Sequence, residues 1–549
     1  MRKIVLGDEA LAEGALDAGL FACYGYPGTP STEIMEYLIG KAEREGTPVA
    51  RWCVNEKTAL EGALGTSFAG RRALVTMKHV GLNVAADPFI NGALLGIKGG
   101  LVVAVADDPG MHSSQNEQDS RFYADFALLP CFEPRSQQEA YDMTREAFAL
   151  SEERHLPVLV RLCTRLSHAR AVIETAAPVP KAPLDRVKDA TEWMLLPAFA
   201  RRNYAALIEK NAALLEWARH HGTNKLEIEG RDLSFAVITA GLGGNYYEEN
   251  FAELAKAASE RGTPPPARLH IGVYPLPDES VRKLCAGAKK LLVIEEGQPF
   301  IEAKLRGILP SAVEIDGKLN GRLPRTGELD PDNVRPALGL PPVRGVELSE
   351  TAKIRLPARP PQLCKGCPHA DSYAAINAAV DGYPPAERAV LSDIGCYSLG
   401  ASPPYSAIES IVCMGASISM ARGAAEAGIK AALAVIGDST FLHSGITAIV
   451  DAVSSNAART VVILDNSTVA MTGCQETALP SSKLVPILLG LGVEKEHIAE
   501  LETTPKNIEA NAARLVSEIE YRGLSVIIFK RECLESVRIR RKRDKARQD

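Results

Sequence analysis

Long apolar runs and cysteines are both scarce in this sequence. No apolar segment approaches the roughly 20 residues that a membrane-spanning helix needs, and the N-terminal stretch MRKIVLGDEALAEG lacks the apolar core of a secretory signal. Eleven cysteines in a chain of 549 residues do not suggest a disulfide framework. We therefore expect a cytoplasmic protein without a membrane segment, in which most cysteines are buried thiols and a few are available to bind metal.

Charge of one sign is also not in large excess. The formal net charge is −6, which gives no reason to expect nucleic-acid binding. With 46% apolar and 24% charged residues, the composition is that of an ordinary globular protein. At roughly 100 to 200 residues per domain, the length predicts three or four domains.

Polar residues follow two apolar runs near the middle of the second half of the chain. Ala432–Ile436 and Thr460–Leu464 are short apolar segments, each followed by an acid and by a small or amide residue. They are typical of buried parallel strands joined by a helix. Ligands of open α/β sheets lie at the carboxyl ends of such strands, so Asp438 and Asn466 should face one crevice. A carboxylate, an amide oxygen and a backbone carbonyl are suitable ligands for Mg²⁺ that also holds a diphosphate.

The same residues resemble the thiamine-diphosphate motif. That motif usually reads Gly-Asp-Gly before a later Asn; here Gly437 and Asp438 are followed by Ser439, with Asn466 at the expected distance. The segments SDIGCYSLG, CMGASISMARGA, VIGDSTFLHSGI and LDNSTVAMTG are similar to the indolepyruvate:ferredoxin oxidoreductases, within the 2-oxoacid:ferredoxin oxidoreductase family. The resemblance covers nearly the whole chain.

The resemblance implies a multidomain α/β fold. It would contain doubly wound parallel sheets in a pyrimidine-binding and a diphosphate-binding domain, plus a domain of the transketolase C-terminal type. The predicted division is 1–175 for the pyrimidine-binding domain, 176–232 for a linker and helical segment, 233–310 for the transketolase-like domain, 311–362 for a proline-rich linker, and 363–549 for the diphosphate-binding domain.

The resemblance also assigns the cofactor ligands of the last domain. Asp438, Asn466 and the backbone of Thr468 would hold Mg²⁺, while three residues at a predicted helix start would line the diphosphate: Gly415, Ala416 and Ser417. Gly437 and Ser439 would lie beside them.

An acid in the first domain is the candidate activator of the cofactor. Thiamine chemistry needs a carboxylic acid against N1′ of the aminopyrimidine, and the resemblance places Glu56, in VNEKTALE, in that role. Glu61 is the rival acid, and a favourable interaction with the helix dipole is the non-catalytic explanation of Glu56. Thr29, in YPGTPST, matches a threonine near the substrate, with a helix cap or turn as its alternative role.

Arg121 and His79 are two further candidate site residues in the first domain. Arg121 would bind the 2-oxoacid carboxylate through its planar guanidinium; a salt bridge to Asp119 or Glu117 is the alternative. His79 stands where relatives tend to have glutamine, and it is either an acid or base or a polar contact.

Four cysteines are candidates for a metal centre. Cys364 and Cys367 form a C-x-x-C pair, a pattern found in redox pairs, zinc half-sites and iron–sulfur half-sites. A zinc site would need a second pair of ligands at similar spacing, and the sequence has none. The resemblance adds Cys396, beside the cofactor, and Cys533, and implies one [4Fe–4S] cluster; inert thiols are the alternative. No cysteine follows Cys533, so we expect the two outer clusters of the indolepyruvate enzymes to be absent. Cys474 replaces a histidine that is common in relatives.

The function implied by the resemblance is oxidative decarboxylation of 2-oxoacids, most of all arylpyruvates such as indolepyruvate. Coenzyme A would accept the acyl group, and ferredoxin or another acceptor would take the electrons. A smaller β subunit would complete the site, in a dimer of heterodimers. The alternatives are a non-oxidative decarboxylase that releases an aldehyde and a non-catalytic scaffold of the same fold.

Overall fold

The chain forms two compact units, residues 1–347 and 348–549. The computed structural model describes residues 1–306, 309, 313–343, 362–455 and 458–548. No helix among these residues is long and apolar enough to cross a membrane.

The described residues of the first unit form three sheets. Its strands are β1 (Arg2–Leu6), β2 (Ala22–Gly25), β3 (Val49–Trp52), β4 (Ala73–Lys78), β5 (Leu101–Asp107), β6 (Cys131–Phe132), β7 (Val158–Cys163), β8 (Arg170–Glu174), β9 (Lys225–Glu227), β10 (Asp232–Ala240), β11 (Pro266–Ile271), β12 (Val273–Tyr274), β13 (Lys290–Ile294) and β14 (Glu314–Asp316). The main sheet has the order β12-β6-β7-β5-β4-β2-β3, the second the order β14-β13-β10-β11-β9, and β1 pairs with β8. All pairs in the main sheet are parallel except that of β12 with β6.

Helices pack on these sheets. They are α1 (Gly7–Asp17), α2 (Thr32–Glu45), α3 (Glu56–Phe68), α4 (His79–Val84), α5 (Ala86–Gly92), α6 (Arg121–Phe126), α7 (Gln137–Arg154), α8 (Thr164–His168), α9 (Pro197–His220), α10 (Gly243–Glu260), α11 (Asp278–Cys285), α12 (Phe300–Leu305) and α13 (Pro331–Val334). Strands β4, β5 and β7 are buried along their whole length, as expected for a parallel sheet covered on both faces.

The second unit is built on one parallel sheet. Its strands are β15 (Arg388–Ser392), β16 (Ser410–Ile411), β17 (Ala431–Gly437), β18 (Arg459–Asp465), β19 (Ile498–Glu502) and β20 (Leu524–Lys530), in the order β16-β15-β17-β18-β20-β19. Its helices are α14 (Pro368–Val380), α15 (Ala416–Glu426), α16 (Asp438–Thr440), α17 (Ile446–Ser455), α18 (Leu484–Gly490), α19 (Ile508–Glu520) and α20 (Leu534–Gln548). The parallel α/β architecture predicted from the sequence is thus confirmed.

The predicted linker over 311–362 differs from the structure where the structure describes it. Strand β14 adds to the edge of the second sheet, and Lys290 forms an ion pair of 2.8 Å with Asp316. Helix α13 follows, so the prolines of this part punctuate folded elements rather than an extended connection. Residues 311, 312 and 344–361 of the predicted linker lie outside the described residues, and the five-part division of the chain stays a prediction.

Candidate active site

Asp438 and Asn466 lie at the same edge of the sheet in the second unit. Strands β17 and β18 are parallel neighbours, with Gly437 opposite Leu464, and the two polar residues follow at or just beyond the strand ends. Asp438 is 5% exposed and Asn466 is 4% exposed. The edge therefore presents a buried carboxylate beside a buried amide.

The Asp438 carboxylate is held by backbone amides. Its Oδ1 accepts a hydrogen bond of 2.8 Å from the Ser439 N–H, and its Oδ2 accepts one of 2.9 Å from the Ser467 N–H. Burial raises the pKa of Asp438 well above its usual range, and the neighbouring Asp465 raises it further. The Oδ2 atom of Asp465 is buried without a hydrogen-bond partner in the described structure. Two buried carboxyl groups side by side are a site that a divalent cation stabilises.

Asn466 and Thr468 form a tight turn after β18. The Asn466 Oδ1 accepts a hydrogen bond of 3.2 Å from the Thr468 N–H, and the Thr468 hydroxyl donates to the Gln475 carbonyl at 2.9 Å. Ser467, between them, has a φ of 61°. This left-handed turn places the Ser467 N–H against Asp438 and holds the Asn466 amide against the Thr468 N–H.

The start of α15 contains the residues predicted to line the diphosphate. Gly415 has a φ of 88°, and a Cβ there would meet the Cβ of Ser444 at 2.6 Å, so only glycine fits. Ala416 is half-buried and opens the helix. A helix start with a glycine before it is suited to phosphate oxygens.

Ser417 differs from the role predicted for it. It is fully buried, its N–H donates to Asp393 Oδ1 at 2.7 Å, and its hydroxyl donates to Asp393 Oδ2 at 2.6 Å. Burial raises the pKa of Asp393 to about 7. Ser417 therefore anchors the helix start to β15, since both of its donors are already engaged.

The ring of Tyr397 packs closely against Gly437 and Gly395. A Cβ at Gly437 would meet its ring at 2.6 Å, and a Cβ at Gly395 would meet it at 2.3 Å. The glycine before Asp438 is thus required by packing, while Ser439 occupies the position of the missing second glycine without such a restriction.

The thiol of Cys396 contacts the side chains of His369 and Asn466. Its Sγ lies 3.3 Å from Nε2 of His369 and 3.7 Å from Nδ2 of Asn466. Burial raises the pKa of the Cys396 thiol, and the nearby thiols Cys367 and Cys533 add to this. Burial also lowers the pKa of His369 to about 4, so its imidazole is neutral near pH 7.

The other predicted cluster ligands come from two loops that touch. Cys364 and Cys367 share a turn closed by a hydrogen bond of 2.9 Å from the Cys367 N–H to the Cys364 carbonyl. Arg531 donates at 3.1 Å to the carbonyl of Gly366, and the Cys533 N–H donates at 3.1 Å to the carbonyl of Asn466. The structure thus gathers the four thiols on one side of the sheet edge.

These thiols are not arranged for a single metal ion. Among the residues that the structure describes, no group of three His, Cys, Asp or Glu side chains is close enough to hold one ion. Ligands of a four-iron cluster are farther apart, because each cysteine binds a different iron. Cys474, which has a φ of 62°, lies against Cys533, and that contact together with burial raises its pKa to about 11.

In the first unit, Glu56 begins α3 at the end of β3, as the sequence predicted. Asn55 caps the helix by accepting from the Thr58 N–H at 2.9 Å, and Glu56 is 6% exposed. A Cβ at Gly81 would lie 2.5 Å from a Glu56 oxygen. The glycine of α4 therefore gives the carboxylate its space.

Glu61, the rival acid, points to solvent. It is exposed and forms an ion pair with Lys57 one helical turn away. An ion pair on the surface leaves the acid in contact with water. Glu61 therefore does not provide an enclosed contact for a cofactor.

A polar loop after β5 covers Lys78 and His79. The Lys78 Nζ donates to the Ser113 carbonyl at 2.9 Å, and His79 Nε2 lies 3.2 Å from the Asn116 carbonyl. Burial lowers the pKa of Lys78 to about 8 and lowers that of His79. Thr29 belongs to the same edge, since its carbonyl accepts from the Ser113 hydroxyl at 3.2 Å. The structure supports a polar contact for His79 and a turn position for Thr29.

Arg121 does not have the role predicted for it. It is 1% exposed, and its guanidinium pairs with Asp119 at 2.6 Å and with Glu295 at 3.0 Å. It also donates to the Tyr274 hydroxyl at 3.1 Å and to the Glu296 carbonyl at 2.8 Å. With its donors engaged inside the fold, the salt bridge to Asp119, the alternative, is what the structure shows.

Three residues of these sites escaped the sequence analysis. Asp393, His369 and Gly81 contact predicted site residues, and none has a distinctive local motif. The weak signals were the acid that follows β15 and the histidine that follows the C-x-x-C pair.

Comparisons with known proteins agree with this arrangement. The model for the thiamine-diphosphate-binding domain of pyruvate flavodoxin/ferredoxin oxidoreductases matches residues 13–195. The model for the C-terminal domain of thiamine pyrophosphate enzymes, which binds that cofactor, matches residues 393–487. The fold and the two matched domains thus define a thiamine-diphosphate-dependent 2-oxoacid oxidoreductase.

Relatives along the full chain specify the family. The indolepyruvate oxidoreductase subunit IorA of Archaeoglobus fulgidus is 37% identical over 97% of this chain and 86% of its own length. The IorA subunit of Methanothermobacter thermautotrophicus is 37% identical over 97% of this chain and 87% of its own. Among solved structures, the 2-oxoglutarate:ferredoxin oxidoreductase of Magnetococcus marinus matches 58% of this chain and 62% of its own, with 16% identity and a TM-score of 0.47. The chain belongs to the family of the indolepyruvate oxidoreductase IorA subunits.

Proposed function

We propose that this chain is the catalytic subunit that oxidatively decarboxylates arylpyruvates, of which indolepyruvate is the type. The observation that carries the proposal is the paired edge of Asp438 and Asn466 beside the thiol of Cys396. These residues would bring the diphosphate of the cofactor and the proposed electron-accepting cluster together in one unit. The names of the relatives supply the substrate class.

The residues present fit thiamine diphosphate with Mg²⁺. Asp438, Asn466 and the backbone of Thr468 would hold the ion, and Gly415 and Ala416 would receive the diphosphate; the buried acid pair with Asp465 supports a cation there. The bound cofactor supplies the nucleophilic carbon and the electron sink that decarboxylation of a 2-oxoacid needs.

Glu56 is the proposed acid toward the aminopyrimidine. Its burial and the space left by Gly81 keep the carboxyl group out of bulk water. A carboxyl group so enclosed can hydrogen-bond to a ring nitrogen without competing water, whereas the exposed Glu61 cannot exclude water from such a contact.

Electrons would leave through one [4Fe–4S] cluster held by four cysteines: Cys364, Cys367, Cys396 and Cys533. Asn466 contacts Cys396 and Cys533, and Arg531 ties the segment of Cys533 to the Cys364–Cys367 turn; these contacts support this set. Coenzyme A would take the acyl group, a ferredoxin or another carrier the electrons, and a smaller β subunit would complete the enzyme, as the word subunit in the names of the relatives suggests.

Binding of the cofactor to an Asp438→Ala variant tests the proposal. We expect Mg²⁺-dependent binding of thiamine diphosphate to be lost in calorimetry, because the variant removes the only full charge assigned to the ion. Asp451→Ala is the control, since Asp451 pairs with Arg422 on the surface of α17. Unchanged affinity in Asp438→Ala would place the cofactor elsewhere.

Analysis of iron and products separates oxidative from non-oxidative chemistry. Anaerobically purified protein should contain about four irons per chain, the content of one [4Fe–4S] cluster, and should form acyl-CoA with its β partner. Iron-free protein that releases an aldehyde would instead establish the non-oxidative decarboxylase.

A further inference from the structure

The side chain of Asn466 lies between the Thr468 N–H and the thiol of Cys396. Its Oδ1 faces the turn with Thr468, while its Nδ2 lies 3.3 Å from His369 Nε2 and 3.7 Å from Cys396 Sγ. Its backbone carbonyl accepts the Cys533 N–H at 3.1 Å. One residue is therefore bonded to two of the four candidate cluster ligands.

His369 lies at the nitrogen end of the amide, which the Thr468 N–H at the oxygen end turns toward the thiol of Cys396. An amide nitrogen only donates, so the imidazole nitrogen that it meets acts as an acceptor. His369 is 2% exposed and packs edge-on against Tyr397, with ring centroids 6.3 Å apart. The Thr468 N–H thus holds the oxygen end of the amide, and the imidazole and the thiol lie at its nitrogen end, with Nδ2 toward Cys396.

We propose that Asn466 couples the two centres: Mg²⁺ bound with thiamine diphosphate at its oxygen strengthens hydrogen bonding from its N–H to Cys396 and so raises the reduction potential of the cluster. This inference rests on the proposed function, which assigns Mg²⁺ to one end of the amide and the cluster to the other. His369 is the positioning residue of this coupling.

The physical basis is polarisation of the amide. A cation at the carbonyl oxygen draws electron density from the nitrogen and makes its N–H a stronger donor. Hydrogen bonds to the ligand sulfurs stabilise the reduced, more negative cluster and shift its potential upward. The cluster would accept electrons more readily once the cofactor is in place.

The test is a redox titration of the anaerobically purified protein, followed by its visible absorption, with and without Mg²⁺ and thiamine diphosphate. We expect a positive shift of the midpoint potential on adding both to the wild type. In Asn466→Asp, which keeps an oxygen for the ion but lacks the N–H, the shift should fall to less than half. A shift that persists in full in Asn466→Asp would overturn the coupling.

Two variants of His369 leave the charge of the site unchanged. His369→Leu removes the acceptor that orients the amide and should reduce the shift, while His369→Gln offers a carbonyl acceptor and should restore most of it. Equal shifts in both variants and the wild type would also contradict the inference. Iron content and cofactor affinity are measured first. Protein without iron or without cofactor binding would overturn the proposed function and the coupling with it. Protein that holds both the cluster and the cofactor but shows no shift would overturn the coupling alone.

Discussion

At the scale of single residues, the first prediction concerns Glu56. Glu56→Gln keeps the shape of the side chain and removes its acid, so thiamine diphosphate should still bind while kcat falls by about 10² to 10⁴. Steady-state kinetics and calorimetry measure the two effects. Glu61→Gln is the control and should retain wild-type turnover, because Glu61 is on the exposed face of α3. A reversal of these two results would make Glu61 the activating acid.

Arg121 carries the second residue-scale prediction. Removing one partner of a buried ion pair leaves a charge without compensation, so Arg121→Met should lower the free energy of unfolding by roughly 3 to 5 kcal/mol. Arg165→Met, at a 42% exposed side chain paired with Glu328, should cost only about 0 to 1 kcal/mol. Chemical denaturation measures both. A stable Arg121→Met protein with only a raised KM for the 2-oxoacid would restore the substrate-binding role.

The case of Arg121 shows where sequence reasoning ends at this scale. Asp119, two positions away, was within reach of sequence analysis. Tyr274 and Glu295 were not, because they approach Arg121 only after β12 joins the main sheet and the chain turns beyond β13. Which donors of an arginine remain available depends on such distant partners.

At the scale of elements, the strands that carry the cofactor edge were predictable. The apolar runs Ala432–Ile436 and Thr460–Leu464 lie within β17 and β18, which extend one residue further at each end. Buried parallel strands have to be apolar throughout, and the polar residues after them mark their ends. Strand β14 was not predictable, since its three residues form a strand only by pairing with β13.

The turn before α15 carries the prediction at this scale. Gly415→Ala forces a side chain into a left-handed conformation and against Ser444, which costs of order 1 to 3 kcal/mol and displaces the helix start. We expect weaker binding of thiamine diphosphate, measured by calorimetry. Gly423→Ala, within the same helix, places its new Cβ in open space with no neighbouring atom within 4 Å, so it should leave affinity unchanged and stabilise the helix by up to about 1 kcal/mol. Equal affinities in the two variants would remove α15 from the diphosphate site.

At the scale of the whole molecule, each unit buries a carboxyl group that titrates near neutral pH. Burial raises the pKa of Glu296 to about 7 in the first unit and that of Asp393 to about 7 in the second. Both values lie above those of the unfolded chain, so the folded protein binds these protons more tightly. The stability that they contribute is complete below the unfolded pKa values and is lost as the pH rises through about 7.

Thermal unfolding across this range supplies the last prediction. The contribution of Glu296 to the midpoint temperature should fall between about pH 5 and pH 8. The buried imidazoles of His79, His270 and His369, whose pKa values burial lowers, act in the opposite direction over part of this range, so the test compares the wild type with a Glu296 variant. Glu296→Gln mimics the protonated acid, and its amide oxygen can still accept from the Tyr246 hydroxyl and the Leu329 N–H. The variant should match the wild type near pH 5 and unfold at a higher temperature near pH 8, because the wild type alone then bears the cost of a buried charge. Parallel curves for the two proteins over this range would show that Glu296 does not titrate there.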